Sequence, residues 1–392
     1  MDMFLSFIDS IIDLFLVIVT FLLVLFVVVI IHELGHFVVA RWCGVKISVF
    51  SLGFGHEIYG FNDRYGTRWR LAWLPLGGYV KFVDDHNSAS VSVSEKNRSV
   101  VSDDERAGFF HIKPIWQRSA VVAAGPVANF LFAIVIFSII SATYGVVSIE
   151  PRVSEVVPGT PAASAGFESD DLVLSINGNT ITSFLDIQQY VISSPGRELE
   201  FVVERSGRQT TLFVTPILKE SLDSIAGKHQ RPIIGIQSSK ELNKLSHRTV
   251  GLFEAVGLGV YRTWTIITQT ISYVGDVVMQ RQPADQLGGI IRIADVSGKV
   301  AQHGLAHVIQ FTALISVSIG LMNLFPVPML DGGHLLFYAI EALRGRPLSE
   351  RTQEFSFKIG LALVLALMLF ATWNDRVVVK SWLDKVLVEK QP

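Results

Sequence analysis

Four long apolar runs divide the chain. Leu14 to Ile31 carries no charge, and Thr20 is its one polar residue. Ser119 to Ile149, Val308 to Leu330 and Ile359 to Trp373 are also uncharged. Runs of this length are read as membrane-crossing helices. The last is short, but Lys358 at its edge can lay its stem along apolar surface. The pattern predicts a polytopic α-helical membrane protein with four transmembrane helices, in segments 1–40 (the helix itself about 14–36), 119–149, 306–333 and 359–374. Residues 1–13 hold Asp2, Asp9 and Asp13 and no Lys or Arg. They lack the basic start of a cleaved leader, so the first run is read as a retained helix.

The stretches between the runs differ in character. In segment 41–118, residues 45–82 alternate in strand fashion, with glycines at 53, 55, 60, 66, 77 and 78 as turn signals. This predicts a small β-sheet, either a plain structural hairpin or one whose free edge pairs with an extended substrate. Residues 84–107 are rich in Ser, Asp and Asn and read as a mobile loop. In 150–218, short strands are predicted at 153–157, 172–176, 199–203 and 211–214, a helix at 183–193, and a short helix over 161–166 ending in Gly166. This order resembles a circularly arranged bacterial PDZ domain. The resemblance implies a groove for chain ends or extended segments, against the plainer reading of a globular spacer. Segment 219–305 reads as a linker followed by amphipathic helices; 250–280 is apolar but interrupted by Glu254, Arg262 and Asp276, and it is placed at the interface because a further crossing there would make the next helix run the wrong way. Segment 334–358 reads as a loop and 375–392 as a tail.

Composition and charge then orient the chain. Half of the 392 residues are hydrophobic, and the mean hydropathy is +0.44. Segment 41–118 holds eleven basic residues, from Arg41 to Arg118. The positive-inside rule puts that segment in the cytoplasm and the N-terminus outside, which makes the PDZ-like segment periplasmic. A net charge of -2 gives no sign of a nucleic-acid partner. Cys43 is the single cysteine, so an intrachain disulfide and a cysteine-based zinc site are both excluded. Cys43 itself is either a reactive thiol or a small packing residue.

The chemistry sits at the end of the first run. Ile31-His32-Glu33-Leu34-Gly35-His36 reads His-Glu-x-x-His. On a helix, His32 and His36 share a face and can bind one metal ion, with Glu33 beside the open position as a base. Ionisable groups at a membrane span are costly and mark function. The third run ends in Asn323-Leu324-Phe325-Pro326-Val327-Pro328-Met329-Leu330-Asp331. With four spans, Asp331 arrives at the same membrane face as the histidines. Two histidines and a carboxylate with an open position make a catalytic zinc set. His334 is a rival ligand and ranks behind Asp331, because it lies beyond Gly332-Gly333. Asn129 is a polar group within the second run, near small residues 123–128 that allow close helix approach. It either bonds to a helix near the metal or joins two helices.

Together, His-Glu-x-x-His, Asn-x-x-Pro-x-x-x-Leu-Asp-Gly and the PDZ-like segment between spans two and three resemble the site-2 protease family, most of all its bacterial regulator of sigma-E protease type. Phe54-Gly55, Pro75-Leu76-Gly77-Gly78-Tyr79-Val80-Lys81 and Gly125-Pro126-x-x-Asn129 extend the match over nearly the whole chain. The resemblance implies an intramembrane zinc metalloprotease of peptidase family M50, with Zn2+ held by His32, His36 and Asp331 and Glu33 as the catalytic base. It implies a membrane-associated β-hairpin at 45–82 and substrate-binding roles for Asn323, Pro326 and Asn129. It also implies a bacterial inner-membrane location and single-span membrane proteins as substrates, either an anti-sigma factor already clipped or remnant signal peptides. Many relatives have two tandem PDZ domains, whereas the space here fits one.

Three other classes compete. In a membrane-anchored soluble-type peptidase the His pair would sit in a water-exposed domain, which the run abutting His32 disfavours. A scaffold presenting a PDZ groove would not need Glu33. A zinc transporter would need polar residues along several spans, and here they cluster at one depth.

Overall fold

The computed structural model describes residues 2–84, 107–223, 227–238, 246–284 and 288–376. The chain divides into two compact units, one of residues 1–136 with 288–392 and the other of residues 137–287.

In the first unit, α1 (Asp2–Trp42) runs six residues past the predicted end at 36. It stops where Val45 N donates to Ala40 O and Gly44 turns to a positive φ. Strands β1 (Ile47–Asn62) and β2 (Arg68–Phe82) follow, where strand alternation was expected. Both are bent, so Val49–Leu52 has partners on two sides: Lys81–Gly78 on one and Arg68–Leu71 on the other. The sheet is fastened to the end of α1 by aromatic packing and by a charged turn. The rings of Phe50 and Trp69 are 4.4 Å apart, and those of Phe37 and Phe50 5.2 Å. Asp63 accepts hydrogen bonds from Arg41, from Trp69 Nε1 and from the Tyr65 and Thr67 amides. Partial burial pushes the Asp63 carboxyl up, but the hydrogen bonds from Trp69, Arg41 and the two amides outweigh it and hold the pKa at about 2. Cys43 packs beside the core of Phe37, Ala40, Phe50 and Phe110. The loop expected at 84–107 falls, for residues 85–106, outside the described residues.

Helix α2 (Ile115–Tyr144) carries the second apolar run. Its C-terminal part belongs to the second unit, whose core is Val153, Phe167, Val173, Ile176, Phe201 and Val203. There, β3 (Val146–Ser148) and β4 (Glu155–Val156) precede the short α3 (Pro161–Ala165), which ends at left-handed Gly166. β5 (Leu172–Ile176), β6 (Asn179–Thr180), β7 (Leu199–Arg205) and β8 (Arg208–Val214) form a sheet of order β6-β5-β7-β8. α4 (Phe184–Ile192) starts in a capping box between Ser183 and Asp186.

The boundary expected at 218 is too early. β9 (Ile217–Asp223) and β10 (Gly227–Ile233) form a hairpin, and β11 (Ile236–Gln237) pairs with β4. These strands read as linker because Lys219, Glu220, Lys228 and Arg231 mask any apolar alternation. β12 (Ser246–Arg248) pairs with β3. Residues 250–280 hold one helix, α5 (Leu252–Val278), exposing Phe253, Val256, Val260 and Trp264 while burying Ala255, Gly259 and Thr263.

Back in the first unit, α6 (Ile290–Gln302) has no side-chain cap of its own at Gly289. Asp375 supplies one from the other end of the unit. Its carboxylate is 1% exposed and accepts from the amides of Gly289 (2.9 Å), Ile291 (3.1 Å) and Arg292 (3.2 Å). The expected tail thus begins with a buried helix cap. Asp375→Ala should lower local stability by about 1–2 kcal/mol, as loss of an N-cap does. Hydrogen exchange should speed up at amides 289–292, and unchanged exchange there would contradict the cap.

Helix α7 (Leu305–Leu324) is shorter than the expected 306–333. Pro326 and Pro328 cannot continue it, and Met329 turns to φ 94°. Asp331 therefore does not end the third span; it is the first residue of a new helix, α8 (Asp331–Arg344). The expected loop at 334–358 is mostly this helix and the start of α9 (Glu350–Asn374). Among the described residues, four helices are long and apolar enough to cross a membrane: Leu14–Trp42, Ile115–Tyr144, Leu305–Leu324 and Glu350–Asn374.

Candidate metal centre

Helical spacing puts His32 and His36 one turn apart on α1, and α8 brings Asp331 to them. The two Nε2 atoms are 3.2 Å apart. Asp331 Oδ2 is 3.2 Å from Nε2 of His32 and 3.6 Å from that of His36. Among the described residues these three form the one group arranged to hold a metal ion. Zinc with bonds of about 2.1 Å in a tetrahedron holds its donor atoms about 3.4 Å apart, which these separations match.

The hydrogen bonds behind the rings decide what the facing atoms are. His36 Nδ1 lies 2.8 Å from Val121 O, a pure acceptor, so Nδ1 carries the proton and Nε2 a lone pair. His32 Nδ1 lies 3.3 Å from the Asn129 amide, whose Oδ1 is buried without a partner. Turning that amide over satisfies both, with Nδ1–H donating to Oδ1. His32 Nε2 then also faces inward as a lone pair. Asp331 Oδ2 is buried and accepts no hydrogen bond. Two imidazole nitrogens and a carboxylate oxygen converge, a donor set that suits a divalent cation.

Neighbouring backbones fit closely. A Cβ at Gly125 would lie 2.3 Å from His36 Nε2 and 2.8 Å from His32 Cε1, so α2 approaches the two imidazoles only because residue 125 has no side chain. A Cβ at Gly78 would lie 2.9 Å from Glu33 Cγ, which brings β2 against Glu33.

The site opens into a cavity of about 1690 Å³. Glu33, Gly78, Tyr79, Asn323 and Asp331 line it, as do Arg118, Tyr338, Glu341 and Gln353. Asn323 Nδ2 is 3.3 Å from His32 Nε2. Two candidate substrate residues are elsewhere. Asn129 is fully buried beside His32 Nδ1, its backbone oxygen accepts from Ser316, and it is absent from the cavity wall. Pro326 is exposed and absent from the cavity wall; its part is to stop α7. His334 also lines the cavity but is outside the ligand group. Its ring meets Phe337 edge-on and Phe357 at a tilt, and burial pushes its imidazole pKa down.

Membrane-length helices around two histidines, an adjacent glutamate and an aspartate define a membrane metallopeptidase. The sequence model of peptidase family M50 matches residues 20–367, and the chain belongs to that family of zinc metalloproteases. A protein of Agrobacterium fabrum, provisionally named zinc metalloprotease Atu1380, is 47% identical over 88% of this chain and 91% of its own. Metalloprotease MmpA of Caulobacter vibrioides is 41% identical over 88% and 91%. The regulator of sigma-E protease RseP of Salmonella typhimurium is 30% identical over 88% and 94%. A solved PDZ domain from Listeria monocytogenes covers 26% of this chain and 96% of its own, with TM-score 0.19 and 20% identity.

Proposed function

We propose that this protein hydrolyses a peptide bond within the membrane-spanning segment of single-span proteins, with zinc held by His32, His36 and Asp331. The observation that carries this is the ligand trio at the end of the uncharged run of α1, opening into a cavity beside a sheet edge. Zinc, when bound, polarises the scissile carbonyl and acidifies a coordinated water. Glu33 takes the proton of the attacking water and later delivers it to the leaving amine. Val121 O and Asn129 fix the imidazole tautomers, and Asn323 stands where it can hold the substrate backbone.

A helical substrate hides its carbonyls in hydrogen bonds, so it must unwind before attack. Residues 78–82 of β2 are the natural receiver. They pair with β1 on one side, and among the described residues no strand pairs with the other. Gly78, Tyr79, Val80 and Phe82 line the cavity. An added substrate strand there would be held extended beside Glu33.

The charge pattern supports a bacterial inner-membrane orientation with the N-terminus and PDZ-like unit periplasmic and the catalytic site toward the cytoplasm. Regulated proteolysis of an anti-sigma factor and clearance of remnant signal peptides are the substrate classes this reading carries, the former in keeping with the name of the Salmonella relative. In the second unit, Phe184, Ile187, Val191 and Ile192 of α4 line a groove with Ile234 and Ile236, fitting an apolar side chain of an extended peptide.

The test uses purified protein and a single-span reporter, with the cut site mapped by mass spectrometry. Cleavage should fall within the apolar segment, and Val80→Pro should lower it about tenfold or more by removing a ladder donor while zinc content stays unchanged. Cuts confined to the soluble flanks would contradict intramembrane hydrolysis. Undiminished cleavage by Val80→Pro would contradict strand pairing.

A further inference from the structure

Helix α8, which carries Asp331, must be held at the right distance from α1 and α2. Residues 325–330 form an irregular link with two prolines, so α8 is not a continuation of α7; Gly332 and Gly333 seat its first turn on the end of α7 and that link, and the far end of α8 needs a second hold. We infer that the ion pair Arg118–Glu341 is a positioning clamp that fixes α8 against α2 and thereby sets Asp331 against the two histidines.

The contact is bidentate. Arg118 Nη1 donates to Glu341 Oε2 at 3.1 Å and Nη2 to Oε1 at 2.7 Å. Arg118 Nε donates to Lys113 O at 3.0 Å, and the guanidinium carbon lies 4.9 Å from the Tyr338 ring centre. The guanidinium is thus held from three directions, and the paired side chains are 12% and 14% exposed on the cavity wall. Such a planar fork has one orientation, which makes it a ruler as well as a tie.

Both partners lie on the faces that build the site. On α2, Arg118, Val121, Gly125 and Asn129 recur at helical spacing. Val121 orients His36, Gly125 abuts both imidazoles, and Asn129 orients His32. On α8, Asp331, His334, Tyr338 and Glu341 share the other face and line the same cavity. One helix therefore orients the histidines, the other delivers the carboxylate, and the clamp joins them about 15 Å along α8 from Asp331. Arg118 and Glu341 touch no ligand atom, so they act through α2 and α8.

The inference rests on the metal-centre reading, and one experiment separates the two. Zinc affinity of the whole purified chain is measured by competition with a chromophoric chelator, with helix content followed by circular dichroism. Wild type, Glu341→Gln, Arg118→Lys and the charge swap Arg118→Glu/Glu341→Arg are compared. Glu341→Gln should weaken zinc binding about tenfold or more, as loss of outer partners does at other zinc sites. Arg118→Lys, which keeps charge but loses the fork, should weaken it less. The swap should recover most of the affinity. Affinities within twofold of wild type in both folded single variants overturn the clamp, as does a folded swap no better than Glu341→Gln. A wild type that binds no zinc overturns the metal-centre reading and the clamp with it.

Discussion

Glu33→Gln should retain zinc and lose cleavage by about 10²–10⁴-fold, the contribution of a positioned general acid–base group. The residue is adjacent in sequence to His32 but does not belong to the ligand group. Its side chain lines the cavity and packs against Gly78 of β2. Glutamine keeps that volume and its carbonyl acceptor but cannot take a proton, so the metal should stay while the chemistry stops. Zinc content by mass spectrometry and cleavage of the reporter are read on the same preparation. Full cleavage by Glu33→Gln would assign the base elsewhere.

Gly125→Ala should strip zinc from a protein that remains folded. Ordinarily this change inside a helix adds about 1 kcal/mol of stability, because alanine is the better helix former. Here the new Cβ would stand 2.3 Å from His36 Nε2 and 2.6 Å from its Cε1, well inside contact distance. The rings must move off the ligand positions or α2 must move away from α1. Either shift separates His36 from Val121 O and opens the trio. Zinc affinity should fall at least about tenfold, with helix content by circular dichroism unchanged. Normal zinc binding in Gly125→Ala would show that α2 does not approach the ligands as closely as the structure has it.

The parts of this protein that were legible in its sequence are those written locally. The His pair is four residues apart, and the run before it shows its membrane character by hydropathy alone. β5 was readable at Leu172–Ile176 because its residues are apolar, whereas β9 and β10 were hidden by charged side chains. Asp331 was legible as a ligand candidate through span parity, but its helix was not. Two prolines predicted a break without saying that a new helix would start at the aspartate itself.

Long-range contacts were silent. The partner of Asn129 is 97 residues away, so the sequence leaves open a bond to a helix near the metal, a tie between two helices and a substrate contact, and only the fold brings the amide to His32. Arg118 and Glu341 are 223 residues apart, and each alone is an ordinary charged residue beside a membrane run. Asp375 read as the start of a tail because the amides it caps lie on α6, 83 to 86 residues earlier.

The central claim is that His32, His36 and Asp331 together hold zinc, and zinc X-ray absorption on the purified protein tests it most directly. Wild type should show only nitrogen and oxygen neighbours, two of them imidazoles, at about 2.0–2.2 Å. Asp331→Ala should lose either an oxygen neighbour or the metal. A zinc environment and content unchanged in both Asp331→Ala and His36→Ala would contradict the account.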